Sequence, residues 1–293
     1  MNQLLTNILQ KRRFKNLRPD FSTKYKNLKR LGKEPFLLPF WITINKQIEA
    51  AFLPIPPAGF LSLPAIKNTM FVNPDDRWLQ AELDFIKTNP GDRFPNLPRE
   101  DWVGQPILLP HHRTSANTVH HLYHMYRFQK EVAVKLGAIN SVVEWGGGYG
   151  NMAKLWYRHS PGVTYTIIDS ALFSTIQWLY LTSTLGPSCV NLLDSKNARL
   201  KEGTINLVPL ALLKQTTING DLFISTWGLS ESSMAAQDYV LKKRWFNSQH
   251  LLLGYQKSSN DLPTASRLGQ IARDDSAKII DIDFIPGNYY AFK

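Results

Sequence analysis

The chain has 293 residues, of which 43% are hydrophobic and 12% aromatic, so a buried core is expected rather than disorder. A single cysteine, Cys189, excludes internal disulfides and a cysteine-based zinc site. The net charge of +11 is concentrated near the amino end, and the remainder is not basic enough to hold a nucleic-acid backbone, which argues against an RNA or DNA substrate.

Residues 1–34 form a basic arm, with ten Lys or Arg against two acidic residues. Phe14, Phe21 and Tyr25 are interleaved with these charges. Such a segment could bind an anionic membrane surface, a nucleic acid or the phosphates of a sugar nucleotide, or it could be a partly disordered solubilising arm. Because no convincing secretory signal is present, we expect a cytoplasmic protein that could contact the inner face of the membrane through this arm.

Residues 35–110 are rich in proline and aromatic residues and predict an irregular or helical accessory region. Its apolar start is interrupted by charges and prolines, so it is not a membrane span. Asn73 and Pro74 are typical of the start of a helix. That helix would present three apolar side chains on one face: Leu79, Leu83 and Ile86.

Residues 111–293 are expected to form one cofactor-binding domain, which begins with a histidine-rich helix. Thr114 or Ser115 can cap this helix. Five of the seven histidines lie within 14 residues: His111, His112, His120, His121 and His124. Helical periodicity places His120 and His124 on one stripe and turns His121 toward solvent.

Three interpretations stay open for His120 and His124. One of them could remove the proton from an acceptor hydroxyl as a general base. Two histidines four residues apart could instead share a metal ion, although no metal site is assigned here. The pair could also be a polar helix flank that contacts solvent or backbone carbonyls.

The clearest signal in the chain is an apolar run that ends in an acid and glycines, SVVEWGGGYG at residues 141–150. Glycines permit a sharp turn from strand to helix and a close approach of ligand to backbone. The next apolar run ends at Asp169, where a carboxylate can accept hydrogen bonds from two ribose hydroxyls. Together these features predict a site for a nucleotide-type cofactor.

The glycine spacing separates two cofactor classes. A dinucleotide motif that begins at Gly146 needs its third glycine at position 151, where this chain has Asn151. Glu144 would repel a pyrophosphate but suits a ligand that carries an ammonium group. An NAD-dependent oxidoreductase is therefore the less favoured alternative.

This arrangement resembles the first motif of class I S-adenosylmethionine (SAM)-dependent methyltransferases. The resemblance implies SAM as the cofactor, with its methionine end held by the acid and glycines and its ribose held by the distal acid. The residues implied are Glu144, Gly146, Gly148, Gly150 and Asp169. It also implies an α/β, Rossmann-like sheet that is mostly parallel and has its last strand antiparallel.

Two segments compete for the third strand of that sheet, residues 189–193 and residues 205–209. The second is favoured because only a short crossover then leads to the next strand at Asp221, which places the adenine near Val208. The strand from Asp221 ends at Thr226, which we also assign to the cofactor site. Near the end of the chain, Pro286-Gly287 predicts a tight turn between two antiparallel strands.

Residues 221–231, DLFISTWGLSE, resemble a signature of the putative sugar O-methyltransferase group. Glu231 is either a catalytic or substrate-binding acid or a charge that complements the dipole of the following helix. The resemblance implies methyl transfer to a hydroxyl of a nucleotide- or lipid-linked sugar during assembly of a surface polysaccharide or glycan. The alternative is a non-catalytic SAM-fold subunit that docks a glycan-assembly partner.

Overall fold

The computed structural model describes residues 3–70, 76–89, 94 and 97–293. Within these ranges the strands are β1 Ser141–Trp145, β2 Thr164–Asp169, β3 Val190–Leu192, β4 Ile205–Pro209, β5 Leu222–Thr226, β6 His250–Gln256, β7 Lys278–Asp281 and β8 Asn288–Phe292. They form one sheet in the order β3-β4-β2-β1-β5-β6-β8-β7. Neighbouring strands are parallel except where β8 inserts antiparallel between β6 and β7.

Helices surround this sheet. They are α1 Gln3–Leu17, α2 Phe21–Lys29, α3 Pro39–Phe52, α4 Pro64–Met70, α5 Asp76–Thr88, α6 Ala116–Val132, α7 Asn151–His159, α8 Ala171–Leu185, α9 Met234–Lys242 and α10 Arg267–Asp274. A left-handed turn at Arg244–Asn247 follows α9. None of the helices in the described ranges is long and apolar enough to cross a membrane.

Both faces of the sheet are buried. Val142 and Val143 follow each other on β1, point to opposite faces, and belong to two separate hydrophobic clusters. Ile167 and Ile168 on β2 divide in the same way. This is the reason that the strands are continuous apolar runs rather than alternating ones.

The strand order reverses at β1, which lies between β2 on one side and β5 on the other. Such a reversal leaves a crevice at the carboxyl ends of the strands, because the connections leave the sheet in opposite directions. Glu144, Asp169 and Thr226 stand at or next to these carboxyl ends. The topology therefore gathers residues that are far apart in the sequence.

The predicted fold class is confirmed: the sheet is Rossmann-like and mostly parallel, its last strand is antiparallel, and the N-terminal region is helical. The favoured third strand is also confirmed, since Ile205–Pro209 pairs directly with β2. The competing segment forms a strand as well, the short edge strand Val190–Leu192. The hairpin at the end of the chain joins β7 and β8.

The basic arm is folded rather than disordered in the described residues 3–34. Helices α1 and α2 both pack on α8. Phe14, Phe21 and Tyr25 are buried in the core, so these aromatic side chains are not available to a membrane or another partner. The predicted accessory helix is present as α5, but its proposed start at Asn73 and Pro74 lies outside the described residues.

A buried ionic cluster joins the accessory region to the sheet domain. Lys154 on α7 lies 2.9 Å from Glu100 and 3.0 Å from Asp101, and Arg158 pairs with Asp101 at 2.8 Å. Burial acts to lower the pKa of Lys154, but the two carboxylates outweigh it and the pKa is raised. Gln10 of α1 donates to Asp101 at 2.7 Å, which ties the first helix to the same cluster.

Candidate active site

A cavity of about 410 Å³ opens at the crevice where the strand order reverses. This volume lies within the usual range for small-molecule sites. The sheet contributes Glu144, Asp169 and Thr226 to its lining, and α6 contributes three histidines. Side chains from α3 and α4 line it too, so the accessory region and the sheet domain build the cavity together.

The glycine loop forms one wall of this cavity. Gly146 has φ +77° and Gly150 has φ +96°, a conformation that side chains with a Cβ rarely adopt. A Cβ at Gly150 would lie 2.9 Å from Cδ1 of Leu181, and one at Gly146 would lie 3.0 Å from Cα of Gly228. The sequence therefore requires glycine here for the turn into α7. Gly146 and Gly148 line the cavity, whereas Gly150 shapes the turn behind it.

Glu144 is almost completely buried at the base of the cavity. Tyr165 donates a hydrogen bond to its Oε2 at 2.9 Å. Burial, reinforced by the nearby charge of Asp169, raises the pKa of Glu144 to about 8, although the Tyr165 hydrogen bond acts against it. No lysine or arginine in the described ranges compensates for this burial.

Asp169 is held in a fixed orientation at the end of β2. The backbone N–H of Ser170 donates to Oδ1 at 2.8 Å, and Nε2 of Gln177 donates to Oδ2 at 2.8 Å. Burial raises the pKa of Asp169 to about 7 despite these bonds. Burial also raises the pKa of Glu231 to about 7, and Gln256 donates to that side chain at 3.3 Å.

No lysine or arginine lines the cavity among the residues that the structure describes, whereas three carboxylates do. Carboxylates that are buried without a basic partner are costly to ionise, and a cationic ligand would remove that cost. A pyrophosphate would increase it, because its charge has the same sign. The electrostatics of the cavity therefore favour a cationic ligand over a dinucleotide.

His120 is paired with a residue that sequence reasoning missed. Its Nδ1 hydrogen-bonds to Oε1 of Glu82 on α5, and both side chains are buried. Trp227 stacks on the ring, with centroids 5.8 Å apart and planes inclined by 23°. Glu82 lies within the apolar stripe of its helix. A charged residue on a face that is expected to be buried was the sequence feature that could have identified it.

His124 and His121 are held differently. Tyr290 on β8 lies 2.6 Å from Nδ1 of His124, and burial keeps the pKa of this histidine well below its usual value. Asn151 donates to Nδ1 of His121 at 2.9 Å. The expectation that His121 faces solvent is wrong, because its side chain lines the cavity.

The histidines are therefore not a simple polar helix flank. The Nδ1 atoms of His120 and His124 are each engaged by a protein side chain. No group of three or more His, Cys, Asp or Glu side chains in the described ranges is arranged to hold a metal ion. When Nδ1–H of His120 donates its hydrogen bond to Glu82, Nε2 of the same ring is left unprotonated and can accept a proton.

One residue assigned to the cofactor lies elsewhere. Val208 is fully buried in the hydrophobic cluster on one face of the sheet and does not line the cavity. Leu210, just past the end of β4, and Ile168 on β2 supply the apolar lining instead.

Residues 32–38, where the basic arm meets the accessory region, bridge the two sides of the cavity, and we call this segment the strap. On one side Glu34 accepts a hydrogen bond from the backbone N–H of Ala171, at the start of α8. On the other side Ser233, before α9, donates its backbone N–H to the carbonyl of Phe36 at 3.0 Å. Phe36 and Leu37 of the strap line the cavity between these contacts.

No family model and no curated protein matches this sequence. Among solved structures, the pyocyanin biosynthetic protein PhzM is similar at 14% identity and a TM-score of 0.39, over 60% of this chain and 55% of that one. The mitomycin 7-O-methyltransferase MmcR is similar at 11% identity and a TM-score of 0.42, over 84% of this chain and 74% of that one. A putative O-methyltransferase from Nostoc punctiforme is similar at 11% identity and a TM-score of 0.36, over 80% of this chain and 71% of that one.

The chain thus spans about half the length of PhzM. The functional assignment rests on the strand order, the glycine loop and the charge of the cavity.

Proposed function

We propose that this protein is a SAM-dependent O-methyltransferase. The observation that carries the proposal is the cavity in which Glu144, Asp169 and Glu231 stand beside a glycine loop, with no lysine or arginine among the described lining residues. SAM carries a sulfonium and an ammonium group and a ribose with two free hydroxyls. A buried carboxylate cavity suits that ligand and opposes the pyrophosphate of NAD.

The residues around the cavity fit the parts of SAM. Glu144 and the loop at Gly146 and Gly148 would hold the methionine end, where the backbone can approach closely. Asp169 would accept hydrogen bonds from the ribose hydroxyls. The adenine would be enclosed by three apolar side chains, Ile168, Phe173 and Leu210. Thr226 would contact the cofactor from the end of β5. When bound, SAM supplies an activated methyl group.

Nε2 of His120 is the favoured base for the acceptor hydroxyl. Glu82 orients the ring by accepting from Nδ1 and would stabilise the positive charge that the ring gains with the proton. Trp227 keeps the ring from rotating by stacking on it. His124, held neutral by burial, and Glu231 would contact the acceptor rather than remove its proton. This paired base supports an enzyme over a non-catalytic SAM-fold subunit.

We propose a sugar as the acceptor, in surface polysaccharide or glycan biosynthesis. Trp41, Trp78 and Trp227 line the cavity, and indole faces pack well against the C–H face of a sugar ring. The lack of lysine and arginine among the described lining residues means that the phosphate of a nucleotide- or lipid-linked sugar would stay outside the cavity, in solvent. A neutral ring inside and a phosphate outside is therefore the substrate arrangement that fits.

Transfer of labelled methyl from SAM to a panel of acceptors tests this proposal. The panel contains nucleotide sugars, lipid-linked glycans, neutral glycosides and phenols, each with and without a chelator. Label on a glycan that survives the chelator is the expected result. Label only on phenols would indicate an aromatic acceptor in place of a sugar. Loss of transfer in the presence of the chelator would favour a metal ion bound by His120 and His124.

A further inference from the structure

Helix α1 exposes an unusual set of apolar side chains. Four residues in its first two turns are well exposed: Leu4 at 64%, Leu5 at 54%, Ile8 at 52% and Leu9 at 39%. At 100° per residue these positions share one face of the helix, which lies opposite the buried Gln10 and Phe14. A cluster of neighbouring leucine and isoleucine side chains on a surface marks an interaction site more often than isolated ones do.

The same face becomes basic in the next two turns. Lys11, Arg12 and Lys15 are exposed there, and α1 contains no acidic residue. The face is therefore apolar at one end and cationic at the other. A surface that offers both apolar insertion and positive charge matches the chemistry of an anionic lipid layer.

The inner face fixes how this surface is presented. Gln10 donates to Asp101 at 2.7 Å and accepts from the backbone N–H of Trp102 at 3.2 Å. Phe14 is buried and stacks against Phe60, with ring centroids 6.1 Å apart. The helix is thus held on the body of the protein with its apolar and basic face outward.

We propose that α1 docks the protein on an anionic lipid bilayer. Leu5, Ile8 and their apolar neighbours lie among the lipid chains just below the headgroups, and the basic turns meet the lipid phosphates. The aromatic side chains of the basic arm do not take this role, because they are buried.

A second copy of the chain fits this face less well. Two copies packed through α1 would place lysine and arginine side chains against each other or against leucine and isoleucine, and the helix offers no acidic residue to pair with them. An anionic bilayer supplies the missing negative charge over the whole face. Apolar insertion and electrostatic attraction are both needed, since either alone gives weak and reversible membrane binding.

Vesicle co-sedimentation of the full chain tests the proposal. The probes are phosphatidylcholine vesicles with and without phosphatidylglycerol, at low and high salt. We expect binding to the anionic vesicles that weakens with salt, and at least tenfold weaker binding for Ile8→Glu and for the double variant Arg12→Glu/Lys15→Glu. Leu241→Glu is the matched control, because Leu241 is 41% exposed on α9, and it should bind like the parent.

Several results would overturn the proposal. One is equal binding of the parent and Ile8→Glu, and another is equal binding to neutral and anionic vesicles. A third is self-association without lipid, measured by sedimentation velocity, that Ile8→Glu abolishes, since the face would then belong to a second copy. Thermal unfolding of each variant confirms that it is folded, and none of these readouts depends on the proposed methyltransferase activity.

Discussion

At the scale of single residues, the site contains three buried acids, and no lysine or arginine among the described lining residues pairs with them. Burial raises the pKa of Glu144 to about 8 and that of Asp169 to about 7. Acids of this kind are neutral or only partly ionised in the ligand-free protein near neutral pH. A cationic ligand would draw them into the charged form, so ligand binding and proton release should be coupled.

This coupling gives the first prediction. SAM should bind more tightly as pH rises through about 7 to 8, and binding should release protons near neutral pH. Calorimetry in two buffers of different ionisation enthalpy measures the protons released. The Asp169→Asn variant should release fewer protons and bind SAM about tenfold or more weakly. Proton uptake, or affinity that does not change with pH, would contradict the electrostatic account of the cavity.

The same shifts predict how stability changes with pH. Because the folded-state pKa values of Glu144 and Asp169 lie above their unfolded values of about 4, their contribution to the free energy of unfolding is present at low pH. It is lost as pH rises through about 7 to 8. Thermal unfolding of the ligand-free protein should therefore show a gain in stability for Glu144→Gln that is larger at pH 8 than at pH 6.

Glu82 gives the third prediction at this scale. Glu82→Gln should lower kcat by about a hundredfold, because the ring of His120 loses both its orientation and its charge partner, while SAM affinity stays unchanged. The pH profile of kcat should shift as well, which a purely structural role would not produce. Asp84→Asn is the matched control, since Asp84 is exposed on the same helix. Equal effects of both variants would remove Glu82 from the mechanism.

At the scale of elements, several strands were predictable because they are apolar runs that end in an acid or lead into glycines, as β1 and β2 do. Two segments were predicted as alternatives for one strand, and the structure contains both, as Val190–Leu192 and Ile205–Pro209. The crossover argument correctly placed the second beside β2. Glu82 and the strap could not be placed from sequence. Their positions depend on contacts between segments more than 35 residues apart in the chain, such as Glu82 with His120 and Glu34 with Ala171.

The strap gives a prediction for the element scale. Glu34→Ala removes its hydrogen bond to the start of α8, so the strap should hold less firmly over the cavity. Release of SAM should become about tenfold faster, as the loss of one charged hydrogen bond suggests. Stopped-flow tryptophan fluorescence follows the release. Glu49→Ala, a change of the same kind on α3, is the control and should leave the release rate unaltered.

At the scale of the whole molecule, the accessory region and the sheet domain share one structure. Their hydrophobic side chains belong to the same buried cluster, and the Lys154 cluster joins them by ion pairs. The division of the chain into residues 1–34, 35–110 and 111–293 stays a prediction from composition. The cavity itself depends on both regions, since Trp41 and Trp78 come from one and the carboxylates from the other.

The buried ionic cluster gives a prediction for the stability of the molecule. Lys154→Met should lower the free energy of unfolding by about 3–5 kcal/mol, because Glu100 would keep a buried charge without the Lys154 ammonium and Asp101 would keep only Arg158. Lys278→Met removes a mostly exposed pair with Glu131 and should cost less than about 1 kcal/mol. Urea denaturation measures both. Comparable losses of unfolding free energy in the two variants would show that the cluster does not stabilise the contact between the two regions.

Acid should act on the same cluster. Burial tends to raise the pKa of Asp101, but Lys154 and Arg158 outweigh it and hold that pKa well below its usual value. The stability that this pairing provides is present above the unfolded pKa of about 4 and is lost as pH falls toward the folded value. The parent should therefore lose stability on acidification to a greater extent than Lys154→Met, as measured by thermal unfolding.

The central claim is that the cavity binds a cationic nucleoside cofactor. The most direct measurement is calorimetric titration of the purified chain with SAM and, in parallel, with NAD. We predict saturable binding of one SAM per chain, loss of that binding in Asp169→Ala, and no binding of NAD. Binding of NAD in preference to SAM, or undiminished binding of SAM by Asp169→Ala, would contradict the account.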